Sequence, residues 1–261
     1  IPCDKAKVGR DAFSILGFDA GYPLAEGEAL TLKLYGQFAL LLDDEDALSN
    51  RVARQQGVEA GNRKAEGFGI AAPGLWLDSG PFNGQLEFRH FRDDFDARYF
   101  DELYELDRAH LDVASGRARS KDARLNRDDD LSGVFGRLGT TLGQYLHASA
   151  SYQYLTGAKD TKQQLIGYAS LSKKLLEQIP RFTRARAYYQ KNNIGTRLNE
   201  NGLGKDGFLE STEDTFYGYD LGLEMAGGAA VLWDTRFIFE RGADQRLVRR
   251  KIMSIETVFH F

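Results

Sequence analysis

From Tyr217 to the C-terminus the chain alternates between apolar and polar residues, and the charges keep to one parity. Tyr217, Tyr219, Leu221, Leu223 and Met225 oppose Gly218, Asp220, Gly222 and Glu224. The next block repeats the pattern, with Ala229, Val231, Trp233, Thr235, Phe237 and Phe239 opposing Asp234, Arg236 and Glu240. A third block sets Met253, Ile255, Thr257, Phe259 and Phe261 against Ser254, Glu256 and His260. A period of two is the period of an extended strand, whose successive side chains point to opposite faces. Each block therefore predicts a strand with one apolar and one polar face. A register slip of one residue would exchange those faces.

Weaker versions of the pattern run upstream. Leu16, Phe18, Ala20 and Tyr22 oppose Gly17, Asp19 and Gly21; Leu30, Leu32 and Leu34 oppose Thr31, Lys33 and Tyr35; Leu86 and Phe88 oppose Glu87 and Arg89. Leu146 to Tyr154 and Thr183 to Tyr189 alternate in the same way, with His147, Ser149, Arg184 and Arg186 on the polar side. Blocks at Phe68–Trp76, Val134–Leu142 and Leu165–Ser172 are strand-like but ambiguous in phase. The total is about eleven strands, most near the ~9–11 residues with which a tilted strand crosses a bilayer. Composition agrees, with 28 glycines, 12 tyrosines and 17 phenylalanines against 5 prolines. Aromatics suit pleated surfaces, and glycine serves turns and close approaches.

Other classes are excluded by the same numbers. An apolar share of 42% and a charged share of 28% do not fit a disordered or collagen-like chain. Cys3 is the single cysteine, so no internal disulfide staples the fold. With 34 basic and 38 acidic residues, the basic excess of a dedicated nucleic-acid binder is missing. The densest apolar stretch, Phe38 to Leu42, falls far short of a transmembrane helix. Hydropathy alone would place the chain in water, but a membrane β-barrel alternates and builds no long apolar run.

The connections add a second pattern, because short and long ones take turns. Pro23–Glu28, Asp78–Asn83, Leu142–Tyr145, Lys173–Pro180 and Ala226–Gly228 are short or modest. Between them lie Asp43–Glu66, Asp93–Leu131, Thr156–Lys162, Asn192–Glu213 and Arg241–Leu247, which are mostly longer and polar. Membrane barrels sort their connections in this way, with short turns on the periplasmic side and longer loops outside. In the long loop 93–131, Phe100, Leu103, Tyr104 and Leu111 recur at roughly helical spacing. They predict a short amphipathic helix over Tyr99–Val113, either resting in the loop or folded into the lumen as a constriction.

The terminal strand, Met253-Ser254-Ile255-Glu256-Thr257-Val258-Phe259-His260-Phe261, resembles the last strand of a Gram-negative outer-membrane β-barrel protein, which ends on an aromatic residue. The likeness covers essentially all of the chain as an architecture, that of the C-terminal portion of a porin-like barrel, and carries no motif of one family within that class. It implies an antiparallel up-and-down transmembrane barrel in a single domain over residues 1–261, possibly part of a larger barrel. It further implies location in the cell outer membrane with the C-terminus in the periplasm. Phe259 and Phe261 would then be the signal read by the barrel-assembly machinery. The other implied partners are outer-membrane lipids and, through the loops, further envelope proteins, with no nucleic acid and no cofactor. Bacterial barrels have even strand numbers and both ends in the periplasm. About eleven strands, a start at Ile1-Pro2-Cys3 and no signal peptide together lead to the expectation that an odd number of N-terminal strands is missing or that one block is miscounted.

In such a barrel the polar faces line the lumen. The expected pore-lining residues are Lys33, Glu87, Arg89, Arg184, Arg186, Asp220, Glu224, Asp234, Arg236 and Glu256, with Asp19 and Glu240 on the same parity. Two arrangements remain open. The charges either line a wet pore and tune its ion preference, or pair across strands and fill a narrow barrel. The functional expectation is a passive, porin-like channel for ions or small polar solutes. A non-conducting barrel that anchors or presents loops is the alternative, and a soluble all-β binding protein is the second alternative.

Catalysis and metal binding have little support. His90, His110, His147 and His260 form no metal-type pair, and no glycine-rich phosphate loop is present. His147-Ala148-Ser149 is similar to the His-x-Ser arrangement of outer-membrane phospholipases, but its parity turns it away from lipid and the family's flanking residues are absent. Asp128–Asp130 lacks the glycine turn of a calcium loop, and a solvated connection is the expectation there.

Overall fold

The computed structural model describes residues 12–44, 66–93, 95–97, 109–112, 117–120, 129–159, 161–196, 205–225, 229–241 and 246–259. Strands β1 (Ala12–Glu26), β2 (Thr31–Asp44), β3 (Glu66–Ser79) and β4 (Phe82–Asp93) open the sheet. A separate hairpin, β5 (Ala109–Asp112) and β6 (Arg117–Ser120), lies in the next connection. The sheet continues with β7 (Leu131–Leu142), β8 (Leu146–Thr156), β9 (Thr161–Leu171) and β10 (Phe182–Asn192). It ends with β11 (Thr215–Glu224), β12 (Ala229–Arg241) and β13 (Leu247–Phe259). The order β1-β2-β3-β4-β7-β8-β9-β10-β11-β12-β13 makes one antiparallel, up-and-down sheet of eleven strands. This is the strand number and order that the alternation predicts. Both β1 and β13 have a neighbour on one side only, so the described sheet is not closed.

The two faces differ in chemistry and in exposure. Register places Leu34 beside Leu75, Leu86 beside Gly136, and Trp233 between Leu221 and Ile255, on an apolar face. That face is open to the surroundings: Phe18 is 70% exposed, Leu138 63% and Ile255 65%. The polar face is enclosed around its ion-paired residues, with Glu87 at 2% and Asp220 at 3%. Its side chains also reach across an intervening strand, as Gln85 of β4 does to Tyr35 of β2, and Tyr188 of β10 to Asp234 of β12.

The ambiguous phase at Phe68–Trp76 has a structural cause. A register shift between Ala71 and Gly74 inserts extra residues opposite β4, and the same point is shifted against β2 between Tyr35 and Gln37. Phe68 and Ile70 before the shift, and Leu75 and Leu77 after it, therefore share the apolar face despite opposite parity. Pro73, which has no N–H to give the ladder, sits inside this irregularity, as a strand proline should. In β7 and β9 the phase is blurred because Leu131, Phe135, Ile166 and Tyr168 lie on the polar face.

Two local expectations are corrected. The predicted helix over Tyr99–Val113 does not hold where the chain is described: Ala109–Asp112 is a strand paired with Arg117–Ser120. Leu111 stands at helical spacing from Leu103 and Tyr104 in the sequence, but it belongs to a short extended run paired with a second one. Residues 99–108 lie outside the described residues. The connection Lys173–Pro180, expected as a plain turn, opens with the single-turn helix α1 (Lys173–Leu176), whose N-cap Ser172 accepts a hydrogen bond from the Leu175 N–H. Among the described residues no helix is long and apolar enough to cross a membrane, which says nothing of crossing by strands.

Candidate functional site

The polar face gathers most of the expected site residues into two ionic patches. On β10–β12, register sets Arg186 opposite Asp220 and Asp220 opposite Asp234. The Arg184 guanidinium donates through Nε to Asp220 Oδ1 at 2.6 Å and through Nη2 to Oδ2 at 3.3 Å. Arg186 Nε donates to Asp220 Oδ2 at 2.7 Å. One buried carboxylate thus accepts from two guanidiniums, one of them in the bidentate geometry that makes arginine–carboxylate pairs strong. Beside it, Arg236 Nε donates to Asp234 Oδ2 at 2.5 Å, and the Tyr188 hydroxyl donates to Asp234 Oδ1 at 3.3 Å. The five charged groups comprise three bases and two acids, so the patch carries one excess positive charge.

Tyr188 fits because of Gly218. A Cβ there would lie 2.3 Å from the Thr235 carbonyl oxygen and 2.6 Å from the Tyr188 hydroxyl oxygen, so no larger residue leaves the ring its place.

The second patch lies on β2–β8. Arg89 Nη2 donates to Glu87 Oε1 at 2.6 Å, and its Nη1 donates to Gln153 Oε1. The guanidinium also lies 3.7 Å from the centroid of the Phe135 ring, a cation–π contact in a partly desolvated setting. Gln85 Nε2 donates to the Tyr35 hydroxyl at 2.7 Å and to Glu87 Oε1 at 3.3 Å. The Tyr35 ring occupies the space where a side chain at Gly74 would stand.

The remaining expected residues are placed separately. Lys33, Glu224 and Glu256 share the polar face and are exposed, toward the end of the sheet that carries the short turns. Glu240, near the opposite end, pairs with Arg250 Nε at 2.9 Å. Phe259 pairs with Ala229 at the end of β13, and Phe261 lies outside the described residues. The sequence reading omitted Tyr35, Gln85, Gln153 and Tyr188, although their parity already put them on the charged face. It also omitted Phe95, which no period of two could place, because it comes from a loop.

Phe95 belongs to an apolar cluster at the long-connection end of the polar face. Leu41, Phe91, Phe95, Leu131 and Leu155 are all buried there, with Ala39 against them. Phe91 and Phe95 meet at a ring distance of 5.4 Å, and Phe95 lies over Gly69. A cavity of about 360 Å³ adjoins the cluster, bordered by Asp19, Gln37, Arg89, Phe91 and Phe95.

His90 and His147 each contact a hydroxyl across the ladder. His147 Nδ1 is 2.9 Å from Thr141 Oγ1, its cross-strand neighbour, in place of Ser149. His90 Nδ1 is 2.8 Å from Ser132 Oγ on the apolar face, and neither residue has an acidic partner among the described residues. Among those residues no three potential metal ligands cluster.

Fold and site together define an all-β, up-and-down antiparallel sheet with an ion-paired polar face and an exposed apolar one. No protein-family model and no curated protein matches the chain.

Proposed function

We propose that the chain forms the wall of a β-barrel in a Gram-negative outer membrane, with its polar face lining a passive conduit for ions or small polar solutes. The observation that carries this reading is the inverted distribution of side chains. Charged and hydrogen-bonded residues occupy the enclosed face, while Phe18, Leu138 and Ile255 are turned outward. In water an exposed apolar face of this extent would be a liability. Hydrocarbon makes it the favourable surface, provided that the edges of β1 and β13 are also paired, since an unpaired backbone group there costs several kcal/mol. The short turns face the periplasm in this reading, and the wall carries ion pairs whose local fields select among small solutes. No chemical step is assigned to it.

The test is mobility on a denaturing gel after refolding in detergent, boiled against unboiled, followed by conductance across a planar bilayer. A boiling-dependent shift with discrete conductance steps is expected. Folding in plain buffer without any shift would overturn the membrane reading and return the chain to the soluble binding class.

A second reading, a barrel that anchors or presents loops without conducting, is favoured by the buried Leu41–Phe91–Phe95–Leu131–Leu155 cluster, which fills part of the enclosed face. Insertion without conductance would support it.

A further inference from the structure

On the last three strands the apolar face changes character along its length. Near the short turns it carries Leu223, Val231, Trp233 and Ile255. Toward the long connections the residues in register are Tyr217, Phe237 and Lys251, followed by Thr215, Phe239 and Arg249. No aspartate or glutamate occupies this face on β11, β12 or β13, although five acids stand on the polar face of the same strands. The Arg249 guanidinium lies 5.3 Å from the centroid of the Phe237 ring, and its Nη1 donates to the Tyr217 hydroxyl at 3.2 Å. Tyr217 in turn stacks on Phe237, with ring centroids 5.0 Å apart. Arg249 is thus held by aromatic rings, and among the described residues one of its donors is engaged. Lys251 stands two residues along the same face, and neither base has an acidic partner among the described residues. By contrast Arg92, also on the apolar face, lies 3.7 Å from Asp93 and 3.9 Å from Asp130.

We infer that Arg249 and Lys251, set beside Tyr217 and Phe237, form an outward site for the phosphate of an anionic lipid headgroup in the leaflet on the long-connection side. The inference rests on the membrane reading above. Along the strands a mainly aliphatic stretch gives way to rows in which a base of β13 stands level with the rings of β11 and β12, the mixture of side chains that suits the membrane interface. Two bases with no acidic partner among the described residues, at the level of these rings, attract an anionic headgroup by charge. The arginine fork adds directional donors suited to phosphate oxygens. A soluble anion would find the same charges, but the aromatic rings beside them provide a surface for the attached acyl chains.

The test is native mass spectrometry of the protein released from vesicles of phosphatidylcholine doped with phosphatidylglycerol, run beside the boiled and unboiled gel. Wild type should retain phosphatidylglycerol above its share, with roughly fivefold enrichment for each basic side chain. R249Q/K251Q should lose that enrichment while keeping the gel shift. Arg250→Gln, which removes a charge from the same strand but faces the other way, should retain it. If the double variant fails to assemble, Lys251→Gln alone should lower the enrichment, because Lys251 makes no contact that holds the strand. Equal enrichment in wild type and variants, or a lipid-free dimer covering this face, would overturn the inference and leave the barrel standing. Absence of a gel shift in wild type would overturn the barrel reading itself.

Discussion

The Lys191 ammonium lies 2.8 Å from the Asp206 carboxylate, and neither side chain is exposed. Lys191 also donates to the carbonyls of Gly207 and Glu210, so the ammonium is fully satisfied by one connection. By register Lys191 stands opposite Leu165 and Thr215, on the apolar face. The segment 205–210 therefore folds over the apolar face of the sheet at its long-connection end. There the Phe208 ring meets Tyr152 at a centroid distance of 5.6 Å, tilted by 54°, and its carbonyl accepts from the Tyr189 hydroxyl at 3.1 Å.

Breaking this pair should free the connection without unfolding the sheet. A lone buried charge costs about 3–5 kcal/mol, more than one strap of loop can withstand, so Lys191→Met should release the segment and let Asp206 reach water. Limited trypsin digestion should then cut after Lys205 faster than in wild type, while the boiled and unboiled gel pattern stays unchanged.

Adjacent residues on opposite faces offer a direct test of phase. Leu138 and Arg137 are neighbours in β7, the first 63% exposed on the apolar face and the second on the polar face. Leu138→Arg should cost roughly 2–4 kcal/mol in a bilayer and block the heat-modifiable form. Arg137→Ala should assemble normally. Equal assembly of the two would show that the faces are assigned the wrong way round.

Asp220 is the acid shared by Arg184 and Arg186. Asp220→Asn leaves two guanidiniums facing each other with a neutral acceptor and removes one negative charge from the wall. If the polar face lines a conduit, reversal potentials in a salt gradient should move toward anion preference. Unfolding should also become easier, because like charges lose their common partner.

Glycine at 218 and glycine at 167 should respond differently to the same change. Gly218→Ala forces a methyl group against the Thr235 carbonyl and the Tyr188 ring, whereas Gly167→Ala meets nothing within 4 Å. Overpacking of this kind costs about 1–3 kcal/mol. The temperature at which the unboiled form converts should fall for Gly218→Ala and stay near wild type for Gly167→Ala.

Phe95→Ala distinguishes an obstructed wall from an open one. Phe95 is 6% exposed and packs on Phe91, so truncation should cost about 3–5 kcal/mol, and the vacated space adjoins the existing cavity. A conducting barrel should pass more current per channel in this variant, and a non-conducting one should gain at most a small leak.

Much of the fold was legible before any coordinates, because strand period is a local property. The blocks Tyr217–Met225, Ala229–Glu240 and Met253–Phe261 keep their charges to one parity, and the structure has a strand at each, over Thr215–Glu224, Ala229–Arg241 and Leu247–Phe259. The block Phe68–Trp76 did not yield its phase, since the shift at Ala71–Gly74 reverses parity within one strand. Leu111 illustrates the opposite failure, in which spacing alone suggested a helix and pairing with Arg117–Ser120 produced a hairpin.

The site divides in the same way. Alternation by itself determined that Arg184, Arg186, Asp220, Asp234 and Arg236 share a face, because a one-residue change of parity is forbidden along an unbroken strand. It could not determine that Asp220 serves two arginines while Asp234 serves one, since those partnerships follow from the relative register of β10, β11 and β12. Nor could it bring Phe95 beneath Gly69 or Asp206 onto Lys191, for these residues come from connections that have no period. Local sterics choose the face of each side chain, but only the assembled sheet decides which side chains meet.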